Sequence, residues 1–352
     1  MTGSRRPNTA STRSSATLHD VAAAAGVSLA TASRVLNGST RVVNEEYRKR
    51  VLDAAAELDY SPNLSAQAVA RGTSTTVALL VADVADPYFS QIAAGVVREA
   101  DREGLIVTMA ATERDPAREL ELVRALRGQR PRAMILAASR HDDPATAAEL
   151  DRELRAYESK GGRVAFISGS DAAFGHVPLE NRAGAAALAR ALHDAGFRRF
   201  AAIGATGGIA TADERLRGFA EGLAGSGAGA TLERTVDADF TRDGGYEGMS
   251  RLLAEAGDAG DGLELVFAVN DVMAVGAMSA LRDAGLTPGV EVAVAGFDDI
   301  PTARDVTPPL TTVRLPLEEI GRRALRLALG DEASGLEAPA EVVLRASTPP
   351  RD

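Results

Sequence analysis

The strongest constraint on the fold is a repeated alternation of short apolar segments with helical segments along residues 77–298. Apolar segments separated by helices form parallel sheets whose two faces are covered by those helices. The alternation restarts after Glu180, so the sequence predicts two doubly wound, Rossmann-like α/β lobes. The predicted strands are 77–84, 105–112, 133–139, 163–170, 200–205, a weaker segment at 231–239, 263–270 and 290–298.

A different pattern, which predicts two short helices joined by a tight turn, occupies residues 17–43. Thr17 precedes Asp20 by three residues, the spacing at which a hydroxyl and a carboxylate cap a helix. Gly26 suits a left-handed turn, and Ser28 caps a second helix. Two short helices around a glycine turn are typical of a helix-turn-helix, whose second helix enters the major groove of DNA. The alternative is an ordinary helical hairpin.

The charge distribution favours the DNA-binding interpretation. Residues 1–74 carry 9 Lys and Arg against 6 Asp and Glu, whereas residues 75–352 carry 30 against 43. A third helix is capped by Asn44, and its apolar positions are Val51, Ala54, Ala55 and Leu58. A basic head on an acidic body is expected for a module that contacts DNA phosphates. The sequence therefore predicts an all-α DNA-binding head in front of the α/β core.

Composition excludes several other classes of protein. The chain has no Cys, which rules out disulfides, thiolate metal sites and cysteine catalysis. No apolar run approaches the roughly 20 residues that span a bilayer. Residues 1–16 are polar and rich in Arg and Ser, without the apolar core of a signal peptide, so we expect a disordered tail on a cytoplasmic protein.

The patterns of catalytic and cofactor sites are incomplete. The glycines within 204–208 follow a strand but lack the full spacing of a dinucleotide loop. Asp298 and Asp299 have no third carboxylate or His at a supporting spacing, and the four His are scattered. There is no G-x-S-x-G nucleophile turn. We therefore expect no enzyme activity, no cofactor and no metal.

With a head, a linker and two lobes in that order, the chain resembles the LacI/GalR family of bacterial repressors from about Thr17 to its end. The motifs that carry the resemblance are DVAAAAGVS, SRVLNG, LDYSPNLSAQAVARG, ERLRGF, VNDVMAVGAMSALRDAG, VAGFDDIP and PPLTTVRLP. The lobes alone would also fit a solute-binding or sensing protein, but the head and the linker favour a regulator. The resemblance implies a homodimer that binds a roughly palindromic double-stranded operator and is controlled allosterically by a small-molecule effector.

The resemblance also divides the chain into domains, with a core of the type I periplasmic-binding-protein fold. The implied parts are a tail at 1–16, a helix-turn-helix domain at 17–61, a hinge at 62–74 and an effector-binding and dimerisation domain at 75–352, with an amino lobe at about 75–178 and 309–333 and a carboxyl lobe at about 179–308 and 334–352. In the hinge, Ala66 and Ala70 would allow two helices to pack closely over the minor groove, and Val69 holds the place of the family's wedge leucine. A helix this short, below ~12–15 residues, is expected to form only when two copies pair on DNA.

On the second helix of the head, the resemblance places Leu29, Ala30 and Arg34 on the face that reads bases. Arg34 can donate to guanine O6 and N7, whereas Leu29 and Ala30 offer apolar contact, for instance to thymine methyl groups. The implied contacts to the DNA backbone are Thr17, Ser28, Thr31, Ser33, Asn37 and Arg48.

The effector contacts implied by the resemblance are Asp86, Phe89, Ser168, Arg215, Phe240, Asn270 and Asp298. Acidic groups, an amide and an arginine beside aromatic rings suit a neutral ligand rich in hydroxyls, so we expect a sugar or sugar derivative. A purine or nucleoside would be served by the same ring and arginine. Structural alternatives exist for each residue: Asn270 and Asp298 could cap helices, and Arg215 could pair with Asp213 or Asp243.

Overall fold

The computed structural model describes residues 16–37, 43–61, 74–137, 144–167, 174–227, 230–256, 262–333 and 338–351. The chain separates into two compact units, residues 1–74 and residues 75–352. Several sequence predictions concern residues outside the described ranges, namely the tail at 1–15, the hinge at 62–73 with Ala66, Val69 and Ala70, and the effector contact Ser168. Among the described residues, no helix has the length and apolar character needed to cross a membrane.

The described residues of the first unit, 16–37 and 43–61, form three helices, and their caps are those that the sequence predicts. The helices are α1 (Leu18–Ala24), α2 (Leu29–Asn37) and α3 (Glu45–Glu57). Thr17 N donates to Asp20 Oδ2 at 2.8 Å, and Asp20 N donates to Thr17 Oγ1 at 3.3 Å. Gly26 turns the chain with a φ of +60°, and Thr31 N donates to Ser28 Oγ at 3.1 Å. The predicted helix-turn-helix is therefore confirmed in its local geometry.

A small apolar core holds the three helices together. Val21, Ala32 and Val51, one from each helix, are fully buried at its centre. Asn44 Oδ1 accepts a hydrogen bond from the backbone in the first turn of α3, as predicted. Of the predicted apolar positions of α3, Val51, Ala54 and Ala55 are buried, whereas Leu58 follows the last residue of the helix and is 36% exposed.

The amino lobe of the second unit is built on a parallel five-stranded sheet with the order β2-β1-β3-β4-β5. Its strands and helices are β1 (Thr76–Val81), α4 (Pro87–Arg102), β2 (Ile106–Ala111), α5 (Pro116–Gln129), β3 (Ala133–Leu136), α6 (Pro144–Glu158), β4 (Arg163–Ile167) and β5 (Gly175–Val177). The central strands β1 and β3 are almost entirely buried, since helices cover both faces of a doubly wound sheet. The predicted α/β lobe is confirmed.

The carboxyl lobe repeats this architecture with a parallel four-stranded sheet in the order β7-β6-β8-β9. Its elements are α7 (Asn181–Asp194), β6 (Arg199–Ala205), α8 (Ala210–Ala224), β7 (Thr231–Ala238), α9 (Arg242–Ala256), β8 (Leu265–Ala268), α10 (Asp271–Asp283), β9 (Ala293–Ala295) and α11 (Thr302–Asp305). The last strand is shorter than predicted, because the chain leaves the sheet after Ala295. Gly296 N donates to Thr311 O at 2.9 Å, and Asp298 adopts a φ of +119°.

The remaining elements follow residue 311, where the sequence analysis predicts none. They are β10 (Thr312–Arg314), α12 (Leu317–Leu329) and β11 (Glu341–Val343), with β10 and β11 forming an antiparallel ribbon. Helix α12 packs closely on α4 of the amino lobe. A Cβ at Gly95 would lie 2.0 Å from Glu318 O, and one at Gly321 would lie 2.1 Å from Ile92 O. The close approach of these two helices therefore requires glycine on both.

Candidate functional site

Residues of both lobes surround a cavity whose empty space, about 270 Å³, includes volume open to solvent. Asp86 follows β1, Asn270 follows β8 and Asp298 follows β9, which is the edge of parallel sheets where ligands bind. The lining residues are Asp86, Tyr88, Phe89, Thr211, Arg215, Phe240, Asn270 and Asp298. The structure thus brings together six of the seven residues expected from the sequence. Tyr88 and Thr211 line the cavity without having been singled out.

Arg215 is the most highly connected side chain of the cavity and is only 1% exposed. Its Nε donates to Asn181 Oδ1 at 3.0 Å, its Nη1 to Val269 O at 2.9 Å and its Nη2 to Asp298 Oδ1 at 2.7 Å. Its guanidinium carbon lies 4.1 Å from the centroid of the Phe297 ring. These contacts fix the guanidinium in one orientation, and a charged group this deeply buried needs such partners. Sequence reasoning identified Arg215 but missed Asn181, which orients it.

The structural alternatives are resolved differently for each residue. Asn270 does cap a helix, because its Oδ1 accepts a hydrogen bond at 2.9 Å from a backbone N–H in the first turn of α10. The same side chain nevertheless lines the cavity. The cap interpretation is wrong for Asp298, which precedes no helix directly and pairs with Arg215. The alternative partners of Arg215 are also wrong, because Asp213 and Asp243 pair with other arginines.

Three buried carboxyl groups of this region, Asp86, Asp271 and Asp298, have raised pKa values, because burial disfavours their charged form. Burial raises the pKa of Asp298, while the Arg215 guanidinium 2.7 Å away acts in the opposite direction and favours the charged carboxylate. Burial also raises the pKa of Asp271, the first residue of α10, to about 7. Asp271 accepts hydrogen bonds from Thr312 Oγ1 at 2.6 Å and from Ile300 N at 2.9 Å. It therefore ties the start of α10 to β10 and to the segment after β9.

The raised pKa of Asp271 predicts a pH dependence of stability. An acid whose folded pKa lies above its ordinary value binds more protons when folded. Its contribution to the free energy of unfolding is therefore fully present below pH 3.8, the ordinary pKa of an aspartate, and is lost as the pH rises through about 7. In Asp271→Asn, the decline in the free energy of unfolding from about pH 5 to about pH 8 should be shallower than in the native chain, as urea unfolding at each pH would show. Asp283→Asn, an exposed position at the end of the same helix, should keep the native slope. A native slope in Asp271→Asn would contradict the assignment.

Asp86 combines a role in α4 with a place in the cavity. It is 7% exposed, and its Oδ1 accepts from Tyr88 N at 3.0 Å in the first turn of the helix. Its Oδ2 lies 3.5 Å from Arg114 Nη2. Burial raises the pKa of Asp86, while the Tyr88 amide and Arg114 act in the opposite direction. Because a carboxylate offers about four acceptor positions, Asp86 retains the capacity to accept from a ligand.

Aromatic rings supply the apolar surface of the cavity. Phe89 is 5% exposed and meets Tyr88 edge-on, with ring centroids 4.9 Å apart. Phe240 reaches the cavity from the carboxyl lobe, and its ring centroid lies 5.4 Å from the Arg114 guanidinium carbon. Burial raises the pKa of Tyr88, so its hydroxyl keeps its proton. Apolar rings with a few placed donors and acceptors are the usual composition of a small-molecule site.

In the head, the three residues expected to read bases lie on the exposed side of α2. Leu29 is 45% exposed, and Ala30 and Arg34 are also exposed, whereas Ala32 of the same helix is buried. The residues expected to contact the DNA backbone are exposed or half-buried, namely Thr17, Ser28, Thr31, Ser33 and Arg48. The side chain of Asn37 lies outside the described part of the chain. Helix α2 therefore presents an exposed face of two apolar residues and one arginine.

Family models match both parts of the chain. Residues 17–63 match the model for bacterial regulatory proteins of the lacI family, and residues 189–351 match a periplasmic binding protein-like domain. The HTH-type transcriptional regulator GalS of Salmonella typhimurium is 34% identical over 328 residues, which cover 92% of this chain and 92% of GalS. The similarity therefore extends from the head through both lobes.

Solved structures show the same architecture. The Lac repressor dimer bound to operator and the anti-inducer ONPF has a TM-score of 0.78 and 26% identity, covering 96% of this chain and 100% of that one. The complex of the regulator CelR with cellobiose has a TM-score of 0.66 and 30% identity, covering 94% of this chain and 99% of that one. A chain that joins this head to these two lobes, and that matches such relatives over nearly its whole length, belongs to the LacI family of bacterial regulatory proteins and is a DNA-binding transcriptional regulator.

Proposed function

We propose that this regulator is a cytoplasmic homodimeric repressor whose affinity for a palindromic operator is set by a neutral sugar, or a sugar derivative, bound between its lobes. The observation that carries the proposal is the composition of the cavity. It combines two acidic side chains, Asp86 and Asp298, with an arginine already paired to one of them and with aromatic rings. These groups complement hydroxyls, each of which donates one hydrogen bond and accepts others.

The remaining hydrogen-bonding capacity of Arg215 supports a ligand rich in hydroxyls. Three of its N–H groups are engaged by Asn181, Val269 and Asp298, and a guanidinium has five. Two donors are thus left for a ligand while the pair with Asp298 stays intact. Each acidic side chain of the cavity already has an arginine partner, Arg215 for Asp298 and Arg114 for Asp86, so neither cation is left uncompensated for a phosphate or carboxylate of the ligand. The proposed ligand is therefore neutral.

A related structure favours a carbohydrate as the ligand. The CelR complex contains cellobiose, which has two rings and supports a carbohydrate as the ligand class.

Exposed apolar residues of the amino lobe support a homodimer. Val97 on α4 is 42% exposed, and Ile106 and Met109 on β2 are 54% and 48% exposed. Strand β2 is an edge strand of its sheet, and an apolar edge is a surface that another chain tends to cover. The related Lac repressor structure is a dimer, so a second copy of this chain is the proposed occupant.

A thermal-shift screen on the full chain tests the ligand class, because a ligand at 100-fold its Kd adds about 2.7 kcal/mol to the free energy of unfolding. We expect a neutral sugar to raise the melting temperature and the phosphate of the same sugar to leave it unchanged. A preference for the phosphate would contradict the neutral site, and stabilisation by purines alone would replace the sugar with the second ligand class expected from the sequence.

The stabilising sugar is then added to gel shifts with DNA from upstream of the gene. If it leaves the shift unchanged at saturation, it is not the effector.

A further inference from the structure

Arg114 is not among the residues that line the cavity, yet it contacts one lining residue from each lobe. Its Nη2 lies 3.5 Å from Asp86 Oδ2, and its Nη1 lies 3.3 Å from Asp83 Oδ2, both in the segment after β1. Its guanidinium carbon lies 5.4 Å from the ring centroid of Phe240, which follows β7 in the carboxyl lobe. One side chain therefore joins the two lobes through ion pairs on one side and a cation–π contact on the other.

The backbone that presents Arg114 has an uncommon conformation. Glu113 and Arg114 have φ values of +56° and +58°, the left-handed region that L side chains rarely adopt. Such residues persist where the surrounding contacts stabilise them, and they concentrate at functional sites. The side chain of Arg114 is 19% exposed, so its contacts are partly shielded from water. Its left-handed backbone and its partial burial distinguish Arg114 from Arg118, the next arginine along the chain, whose side chain is 47% exposed.

We propose that Arg114 is a positioning residue of the effector site, which holds the lobes closed by bridging Asp86 and Phe240. The two halves of the cavity come from different lobes, so their ligand contacts coincide only when the lobes are close together. Arg114 stabilises that arrangement without touching the ligand. That the cavity binds an effector rests on the proposed function. The contacts of Arg114 with Asp86 and Phe240, in contrast, form within the chain and need no ligand.

Arg118 provides a matched control within the same segment. Its Nε donates to Ala111 O at 3.1 Å, and its Nη2 lies 3.5 Å from Glu113 Oε1. All of these groups belong to the amino lobe. Replacing Arg118 removes an arginine of the same charge a few residues away and leaves the contacts between the lobes in place.

Spin-label distances in the chain without ligand or DNA test the bridge. Because the chain has no Cys, labels attach only at introduced positions. Glu121→Cys on α5 introduces a label in the amino lobe, and Asp243→Cys on α9 introduces one in the carboxyl lobe. Both positions are exposed, and the distance between the two labels reports the separation of the lobes. Labelled chain is diluted with excess unlabelled chain, so that each assembly carries one labelled copy. The distance distribution of the labelled chain with Arg114 and Phe240 unchanged is then compared with those of four labelled variants. The variants are Arg114→Gln, Arg114→Lys, Phe240→Leu and Arg118→Gln.

The expected result is a shift to longer distances in both Arg114→Gln and Phe240→Leu, with no shift in Arg118→Gln. Arg114→Lys keeps the charge but loses the planar contact with the ring, so we expect an intermediate distribution. Phe240→Leu leaves the ion pairs intact and carries the test if Arg114→Gln does not fold. Native distributions in the folded variants would overturn the proposal, whether or not any sugar binds. Failure of every sugar to bind the native chain would instead overturn the proposed function, without affecting this result.

Discussion

Replacing Arg215 by alanine is expected to lower the free energy of unfolding of the α/β unit by about 3–5 kcal/mol, the cost of removing one partner from a buried ion pair. The substitution leaves Asp298 buried without its cation, which lies 2.7 Å away in the native chain. It also leaves Asn181 Oδ1 and Val269 O without their donor, and unpaired buried polar groups are destabilising. Urea unfolding at pH 7 measures the loss.

Arg217→Ala is the matched control, because Arg217 lies on the same helix with its side chain 71% exposed and 4.0 Å from Asp213. Its effect should stay within about 0.5 kcal/mol, as for most surface substitutions. Arg215→Met combined with Asp298→Asn should be destabilised by less than the sum of the two single changes, because the unpaired carboxylate is removed together with the arginine. Equal losses for Arg215→Ala and Arg217→Ala would contradict the importance of the buried pair.

Arg34→Ala is expected to weaken binding to the specific operator by about 10- to 100-fold, the effect of losing a bidentate contact to a base. Arg34 is the basic residue on the exposed face of α2, beside Leu29 and Ala30, which offer no hydrogen bonds from their side chains. Binding to a scrambled duplex should fall less, because phosphate contacts supply most of the non-specific affinity. Fluorescence anisotropy with both duplexes over a range of salt concentrations measures the difference.

Arg48→Ala provides the comparison for this experiment. Arg48 is exposed on α3 and is proposed to contact phosphate, so its removal should weaken both duplexes about equally and reduce the salt slope by about 1. If Arg34→Ala also weakened both duplexes equally, Arg34 would contact phosphate and the assignment of the base-reading face would be wrong.

The site residues that can be predicted directly from the sequence come after apolar segments that form strands. Asp86, Asn270 and Asp298 each follow a segment whose residues are buried almost without exception. A parallel sheet gathers such positions at one edge whatever the details of packing. Arg215 was identified through the resemblance of its motif to that of the family. Its burial and its pairing with Asp298 depend on contact between residues 83 positions apart in the sequence, which no local pattern contains.

Other features depend on packing between distant segments. Asn181 meets Arg215 because α7 packs on α8, and Thr211 has no neighbouring motif that marks it. Strands β10 and β11 have three residues each, too few to show an alternating pattern. They pair with each other although helix α12 separates them in the sequence. Helix α12 did carry a signal, since its apolar residues recur at helical spacing, namely Leu317, Ile320, Ala324, Leu325 and Ala328.

The early end of β9 also has a non-local cause. The apolar segment 290–298 reads as one strand, but Asp298 takes a left-handed φ of +119° that the residue type alone does not require. The conformation is held by Asp298 N, which donates to Val313 O at 2.8 Å, and by the contact with Arg215. Strain of this kind at a ligand-binding residue is visible only once the tertiary contacts are known.

Operator affinity in the absence and presence of the sugar identified by thermal shift tests most directly whether the cavity controls DNA binding. Anisotropy titrations of the full chain should show the operator Kd changing by about 5- to 150-fold, the usual range of allosteric coupling, and the operator should change the sugar Kd by the same factor. A sugar that binds the native chain tightly and leaves the operator Kd unchanged would contradict the control of DNA binding by this cavity.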